Sequence, residues 1–323
     1  MTKRKLFFVL GAALLMLAII LGSVLALLGK NAAQKQGQMV FAETFDKGVL
    51  VDKIKITTAE DTITLVQKNS YWFVEEKGLY YADFATLQKL LISLNESVYA
   101  VKLPLTDEVL KEGFLLEPKQ GENNSGLLIQ TYIGEEMLDE MIVGKADAGG
   151  NYFFARTPDE NAVWLIDGDF RLPVLSEQWL LRPILASPED TVESVSFNGK
   201  SASREEGVLR FETPDGSKAN VFPLLDVLKR LTINNAMKKE VFEAEKMNNL
   251  SAQPLEIVTF FGLKFDCVLY TSDTEMWIKI NLATTPLPKA SVNNYIKETR
   301  FLYDDWYFSI SPTQQRILRH TKL

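Results

Sequence analysis

The sequence predicts an α+β protein: an N-terminal transmembrane helix, then two repeated modules of antiparallel sheet with a helix packed on one face. Three observations predict this. A single uncharged apolar run opens the chain. A strand-strand-strand-helix-strands order occurs twice, about 140 residues apart. The alternating βα units that a parallel sheet requires are missing from the pattern.

The apolar run extends from Leu6 to Leu28. At ~1.5 Å per residue it spans roughly 34 Å, enough for a hydrocarbon core of about 30 Å, and a helix satisfies its own backbone hydrogen bonds there. Lys3, Arg4 and Lys5 precede it, so the positive-inside rule assigns residues 1–5 to the cytoplasm and the remainder to the outside. A cleaved signal competes, with Val24-Leu25-Ala26 as a loose cleavage site. Signal cores are typically only ~7–15 residues long, and no cysteine directly follows the run for lipoprotein processing. A retained anchor at 6–28 is the expectation. The polar residues Asn31 to Gln38 mark 29–48 as a stalk.

The first module is expected at 49–186. Lys53-Ile54-Lys55-Ile56 and Thr62-Ile63-Thr64-Leu65 alternate, and Tyr71-Trp72-Phe73-Val74 is strand-favouring. Asp83 can cap a helix whose stripe is Leu87, Leu90, Leu91 and Leu94. Strands are then expected at Leu127–Tyr132, Met141–Val143, Tyr152–Arg156 and Val163–Ile166.

The second module is expected at 190–315, after Pro183 and Ser187-Pro188. Val195–Phe197, Ser203–Glu205 and Val208–Phe211 read as strands, with a hairpin turn at Asn198-Gly199. Pro223 opens a helix carrying Leu224, Val227, Leu228 and Leu231. Strands recur at Leu255–Phe261, Lys264–Tyr270, Glu275–Asn281 and Trp306–Ile310. Each half closes on a tryptophan strand, at Trp164 and Trp306.

Charge and composition narrow the function. The net charge is −7, but residues 1–30 hold four cations and no acid. Removing these from the 35 basic residues leaves 31 against 42 acidic ones, so the body is near −11 and would repel phosphate backbones. No nucleic-acid partner is expected.

Reactive groups do not converge in the sequence, and no catalytic, cofactor-binding or metal-binding residue is assigned. The one histidine, His320, lies near the C-terminus, a poor place for a triad. With one cysteine, Cys267, in a half-apolar strand pattern, a conventional zinc set cannot be assembled. Gly199-Lys200-Ser201 imitates a phosphate loop, yet Ser194 stands where its first glycine belongs. Ala146 to Asn151 reads as a turn with few oxygens for calcium. Asp304-Asp305, between Tyr303 and Trp306, reads as a solvated turn; its aromatic setting could also raise a pKa or hold a sugar. Tyr71, Trp72, Phe73, Tyr80 and Tyr81 are expected to fill the core beneath the first helix, with a carbohydrate platform as the alternative. Asn95, Asn123 and Asn249 head glycosylation patterns that matter only in a eukaryotic secretory route.

The ordered set Ile54–Ile56, Ile63–Leu65, Tyr71–Val74, Tyr81-Ala82-Asp83 and the leucine helix resembles the bacterial "domain of unknown function 4340" family. Glu112 to Pro118 is similar to its Gly-Leu-x-x-Pro segment, with Phe114 in place of leucine. Val143-Gly144, Tyr152–Arg156 and Val163–Ile166 are similar to its later strands. The likeness covers roughly residues 50–182 and is weaker beyond. It implies a bacterial protein anchored outside the cytoplasmic membrane, similar to auxiliary components of ABC-type export systems, including those linked to gliding motility. It implies no catalytic residues.

The functional expectation is a single-pass, non-enzymatic accessory or interaction protein of the cell membrane. Its partners are the lipid bilayer through residues 6–28 and membrane proteins such as ABC transporter permease subunits; no cofactor is expected. The alternatives are a cell-envelope glycan- or peptide-binding module and a carboxylate-based envelope hydrolase.

Overall fold

The described residues form two nine-stranded antiparallel sheets and a few helices, an α+β architecture. The computed structural model describes residues 35–45, 50–120, 122–182 and 191–321. The expected tail at 1–5 and membrane span at 6–28 lie outside the described residues. Among those described, no helix is long and apolar enough to cross a membrane.

After a short helix α1 (Ala42–Phe45), the first half runs β1 (Lys53–Thr57), β2 (Thr62–Lys68), β3 (Tyr71–Val74), β4 (Tyr80–Tyr81), α2 (Phe84–Glu96), β5 (Val98–Leu103), α3 (Asp107–Glu112), β6 (Leu127–Ile133), β7 (Glu136–Ala146), β8 (Tyr152–Arg156) and β9 (Val163–Asp167). The second runs β10 (Val192–Phe197), β11 (Lys200–Ser203), β12 (Phe211–Glu212), β13 (Lys218–Ala219), α4 (Phe222–Lys229), β14 (Ile233–Lys238), α5 (Lys239–Glu245), β15 (Ser251–Thr259), β16 (Leu263–Thr271), β17 (Met276–Thr284), α6 (Ala290–Thr299), β18 (Trp306–Ile310) and α7 (Pro312–His320). The sheet orders are β4-β3-β2-β1-β6-β7-β8-β9-β5 and β13-β12-β11-β10-β15-β16-β17-β18-β14. Each strand of the first order maps onto the second by adding nine. The helices α2 and α4, and α3 and α5, interrupt the two halves at the same places; α6 has no counterpart.

Local chemistry explains the elements. Asp83 Oδ2 accepts the Thr86 backbone N–H at 2.8 Å, capping α2, whose Leu87, Leu90 and Leu94 are buried. Phe197 pairs with Lys200 across Asn198 and Gly199, both at positive φ, the two-residue turn that suits strand twist. The expected strand at Val208–Phe211 is largely a loop: Val208 and Leu209 are 44% and 70% exposed, and β12 begins only at Phe211. The turn at Glu205–Gly207 redirects the chain, closing with Val208 N–H donating to the Glu205 carbonyl.

Packing divides the described residues into two compact units, one holding those up to Thr62 with Gln88–Leu172, the other Ile63–Leu87 with those from Pro173. Thus β3 and β4, early in sequence, pack with the C-terminal unit.

In the N-terminal unit, the stalk expected at 29–48 joins the fold partway along. Gly37 N–H donates to Tyr99 O, Tyr99 N–H to Gln38 O, and Val40 N–H to Ser97 O, at 2.7–3.0 Å. Val40 and Phe41 are buried, apolar residues beside the polar run that suggested a stalk. Thr44 then donates its hydroxyl to Asp139 Oδ2 at 2.6 Å, as does its N–H at 2.7 Å. This unit's cluster of Leu115, Ile142 and Val163 is packed by Val109 and Leu110 of α3.

The Gly113–Leu116 segment lies against β7 with no space for a side chain. A Cβ at Gly144 would fall 1.9 Å from Gly113 O, a backbone atom that cannot swing aside. Lys145 N–H donates to that carbonyl at 3.0 Å, and Gly126 N–H to Leu116 O at 3.1 Å. Gly144→Ala is therefore expected to cost about 2–3 kcal/mol by overpacking. Urea denaturation measures this, and an unchanged midpoint would contradict the close approach.

Candidate functional site

The C-terminal unit carries a groove of about 430 Å³ lined by aromatic and charged residues. Its walls come from the β2–β3 turn (Lys68, Asn69), from Phe73, Leu79 and Tyr81, from the β14–α5 junction (Lys238, Glu240), and from Phe301, Asp305 and Trp306. Two groups singled out by sequence, the Tyr71–Tyr81 aromatics and Asp304-Asp305 with Trp306, thereby meet at one place.

These aromatics do not simply fill the core beneath the first helix. They form a graded ladder. Tyr80 is buried, with its ring 4.9 Å from Trp306 and 5.2 Å from Phe308. Tyr81 continues it outward, 5.2 Å from Phe301 and 5.7 Å from Tyr71. Phe301, which lines the groove, and Tyr71, packed against it, are 40% and 53% exposed. Strand alternation is the cause: successive residues point to opposite faces, so Tyr80 and Tyr81 cannot both enter the core.

The groove floor carries an unusual backbone. Gly78 and Leu79 are both left-handed, at φ 67 and 64. For a bulky residue such as leucine this is a genuine outlier, costing about 1–3 kcal/mol. Gly78 N–H donating to Glu75 O and Leu79 N–H to Val74 O hold the turn. Lys77 fastens it further, donating to Asn234 O at 3.2 Å beside Glu177.

The opposite wall, Arg300–Trp306, is pinned from below by Lys279 on β17. Lys279 is 7% exposed, and its ammonium donates to the carbonyls of Tyr303 at 2.7 Å, Asp304, and Trp306 at 3.4 Å. Burial lowers its pKa to about 8, and Lys239 adds to the fall while Asp304 and Asp305 oppose it. Arg300 Nε donates to Asp304 Oδ2 at 2.7 Å, holding that carboxylate within the turn. Asp305 stays exposed at the rim, as do Glu240, Lys68 and Lys238. Burial raises the Tyr81 phenol, reinforced by Tyr71 and Asp305. The groove can thus offer flat aromatic faces and a balanced set of two ammonium and two carboxylate groups.

Sequence reasoning missed Lys279, Leu79 and Phe301. Lys279 had a signal: it is the only charged residue in Met276–Asn281, a stretch buried from Met276 to Ile280. Phe301 had none, because its approach to Tyr81 depends on the chain's return.

The remaining candidates lie elsewhere. His320 is exposed on the last turn of α7, beside a second depression lined by Asn220, Pro223, Arg316 and Ile317. Cys267 is fully buried, and burial pushes its thiol well up, away from the reactive thiolate. Gly199-Lys200-Ser201 belongs to the β10–β11 hairpin. In the Ala146–Asn151 turn, Asp147 Oδ1 accepts the N–H groups of Asn151 and Tyr152, both at 3.0 Å, which keep the carboxyl below its usual range. No group of His, Cys, Asp and Glu suited to a metal occurs among the described residues. Neither the protein-family models, the curated proteins nor the solved structures contain a match to this chain.

Proposed function

We propose that this is a non-enzymatic accessory protein, anchored by residues 6–28 with its N-terminus in the cytoplasm and its body outside, serving an ABC-type membrane complex. One observation carries the reading: the chain is already paired to the β5 edge at Gly37. The nine residues from Leu28 to Gly37 can span at most about 30 Å. An anchored body is therefore held close to the bilayer surface, within reach of a membrane-embedded partner and unable to range far from it.

Membership of the "domain of unknown function 4340" family belongs to the same proposal. Its support is that two separated segments carrying the resemblance, Gly113–Leu116 and Val143-Gly144, touch in the fold. The matching strand orders support an origin by internal duplication.

Affinity purification at native expression in a mild detergent is expected to recover permease or ATPase subunits. Recovery of the protein alone would refute the partner. Protease added to intact cells, after any outer barrier is opened, is expected to digest the body and spare residues 6–28. Full protection of the body would refute the orientation.

A further inference from the structure

We propose that the aromatic groove of the C-terminal unit is a binding site for a neutral oligosaccharide. The inference concerns this groove and stands independently of the membrane partner.

Phe301 lines the groove and Tyr71 lies against it, their half-exposed rings 6.0 Å apart between centroids, with Tyr81 touching both. Exposed rings held by their neighbours are costly to leave in water and suit a ligand that is flat and apolar on one side, polar around its edge. A pyranose ring has that form: its C–H face stacks on an aromatic ring while its hydroxyls point sideways. Partners for hydroxyls stand beside the rings, since Asn69 and Asp305 both line the groove. Asp305 as a carboxylate accepts, and the Asn69 amide does both. Charge favours neutrality, since among the lining residues Lys68 and Lys238 are balanced by Glu240 and Asp305.

The sheet edge argues against an extended peptide. Peptides that add to a sheet need a strand with free N–H and C=O groups. Here β4 is already capped: Ala82 bridges Leu180, Leu181 N–H donates to Tyr81 O, and Asp83 N–H donates to Trp179 O. The groove floor is rigid as well, fixed by the left-handed Gly78-Leu79 turn and by Lys279 beneath the opposite wall. Such a preformed site loses little entropy on binding.

The test uses the full chain in a detergent without a sugar headgroup, with maltohexaose, cellohexaose, chitohexaose and xylohexaose as probes. Binding is read by tryptophan fluorescence and by saturation-transfer NMR of the sugar C–H protons. At least one probe is expected to bind with a Kd near 0.1–1 mM, an affinity of about 4–5.5 kcal/mol. Tyr71→Ala and Phe301→Ala, at exposed positions where the fold does not depend on the ring, are each expected to weaken binding about tenfold. Circular dichroism and the melting temperature of both variants should match the parent chain. Absence of binding by all four probes overturns the proposal, as does binding that survives the double variant unchanged. Preferential binding of hexaglycine or hexaproline overturns it in favour of a peptide. Cleavage of a bound probe would uphold the saccharide site while refuting the non-enzymatic role, since Glu240 and Asp305 both line the groove.

Discussion

Replacing Phe242 with alanine is expected to destabilise the C-terminal unit by about 3–5 kcal/mol, the range for losing a large buried ring. Phe242 is completely buried in α5, stacked on Tyr307 at 3.9 Å with 12° between planes. Tyr270 lies edge-on at 5.4 Å, and Trp277 is tilted at 5.3 Å. A seven-residue helix has no stability of its own, because nucleation is unfavourable and few bonds follow it. Phe242 is the buried side chain of α5, which is otherwise tied by Tyr307 OH donating to Glu243 and Lys239 N–H donating to Asp305 O, so removing the ring should loosen the helix besides leaving a cavity. Urea denaturation followed by tryptophan fluorescence provides the measurement. Phe242→Leu, which keeps most of the volume, should cost markedly less. Equal losses in the two variants, or a loss below about 1 kcal/mol in the first, would show that the aromatic cluster does not hold α5.

Lys279→Met is expected to cost about 2–4 kcal/mol and to disorder the groove wall. The substitution keeps the apolar stem but withdraws the ammonium from the carbonyls of Tyr303, Asp304 and Trp306; Tyr303 O keeps the Trp306 N–H at 3.1 Å, and a buried group left unsatisfied costs about 1–3 kcal/mol. Water reaching the loosened turn offsets part of the sum. The parent chain should also show a pH signature. The buried ammonium has a pKa of about 8, below the ordinary 10.5. Between these values the unfolded chain binds more protons than the folded one, so this residue's contribution to stability rises with pH across the window. Below pH 8 the ammonium is charged in both states and carries its full burial cost. The stability difference between parent and Lys279→Met should therefore widen in the parent's favour from pH 8 to pH 10. A difference independent of pH would show that the ammonium is not desolvated. Other groups titrating in this range occur in both proteins and cancel in the comparison.

The two predictions bear on the groove differently. Phe242 holds α5, whose first turn brings Glu240 to the rim, while Lys279 holds the wall carrying Asp305. Loss of saccharide binding in Lys279→Met without loss at Tyr71 would point to the turn and not the rings as the recognition element.

Much of the strand layout was legible in the sequence because alternation and punctuation are local. Tyr152–Arg156 and Trp306–Ile310 begin and end where their patterns do, and Asp83 caps its helix as its type and position require. The doubling of element order was legible for the same reason. The short elements were not: β4, β13 and α5 are too brief to show a period, and they exist through their neighbours. Val208 and Leu209 misled because a strand-favouring residue forms a strand only when an adjacent chain offers backbone partners. The groove was decided by tertiary structure alone. Composition flagged Tyr71, Tyr81 and Asp305 separately, but the approach of Phe301 and Trp306 to Tyr80 and Tyr81 joins residues more than 200 positions apart. Local sequence determines which face of a strand is apolar; which distant face covers it is settled when the whole chain minimises its exposed apolar surface.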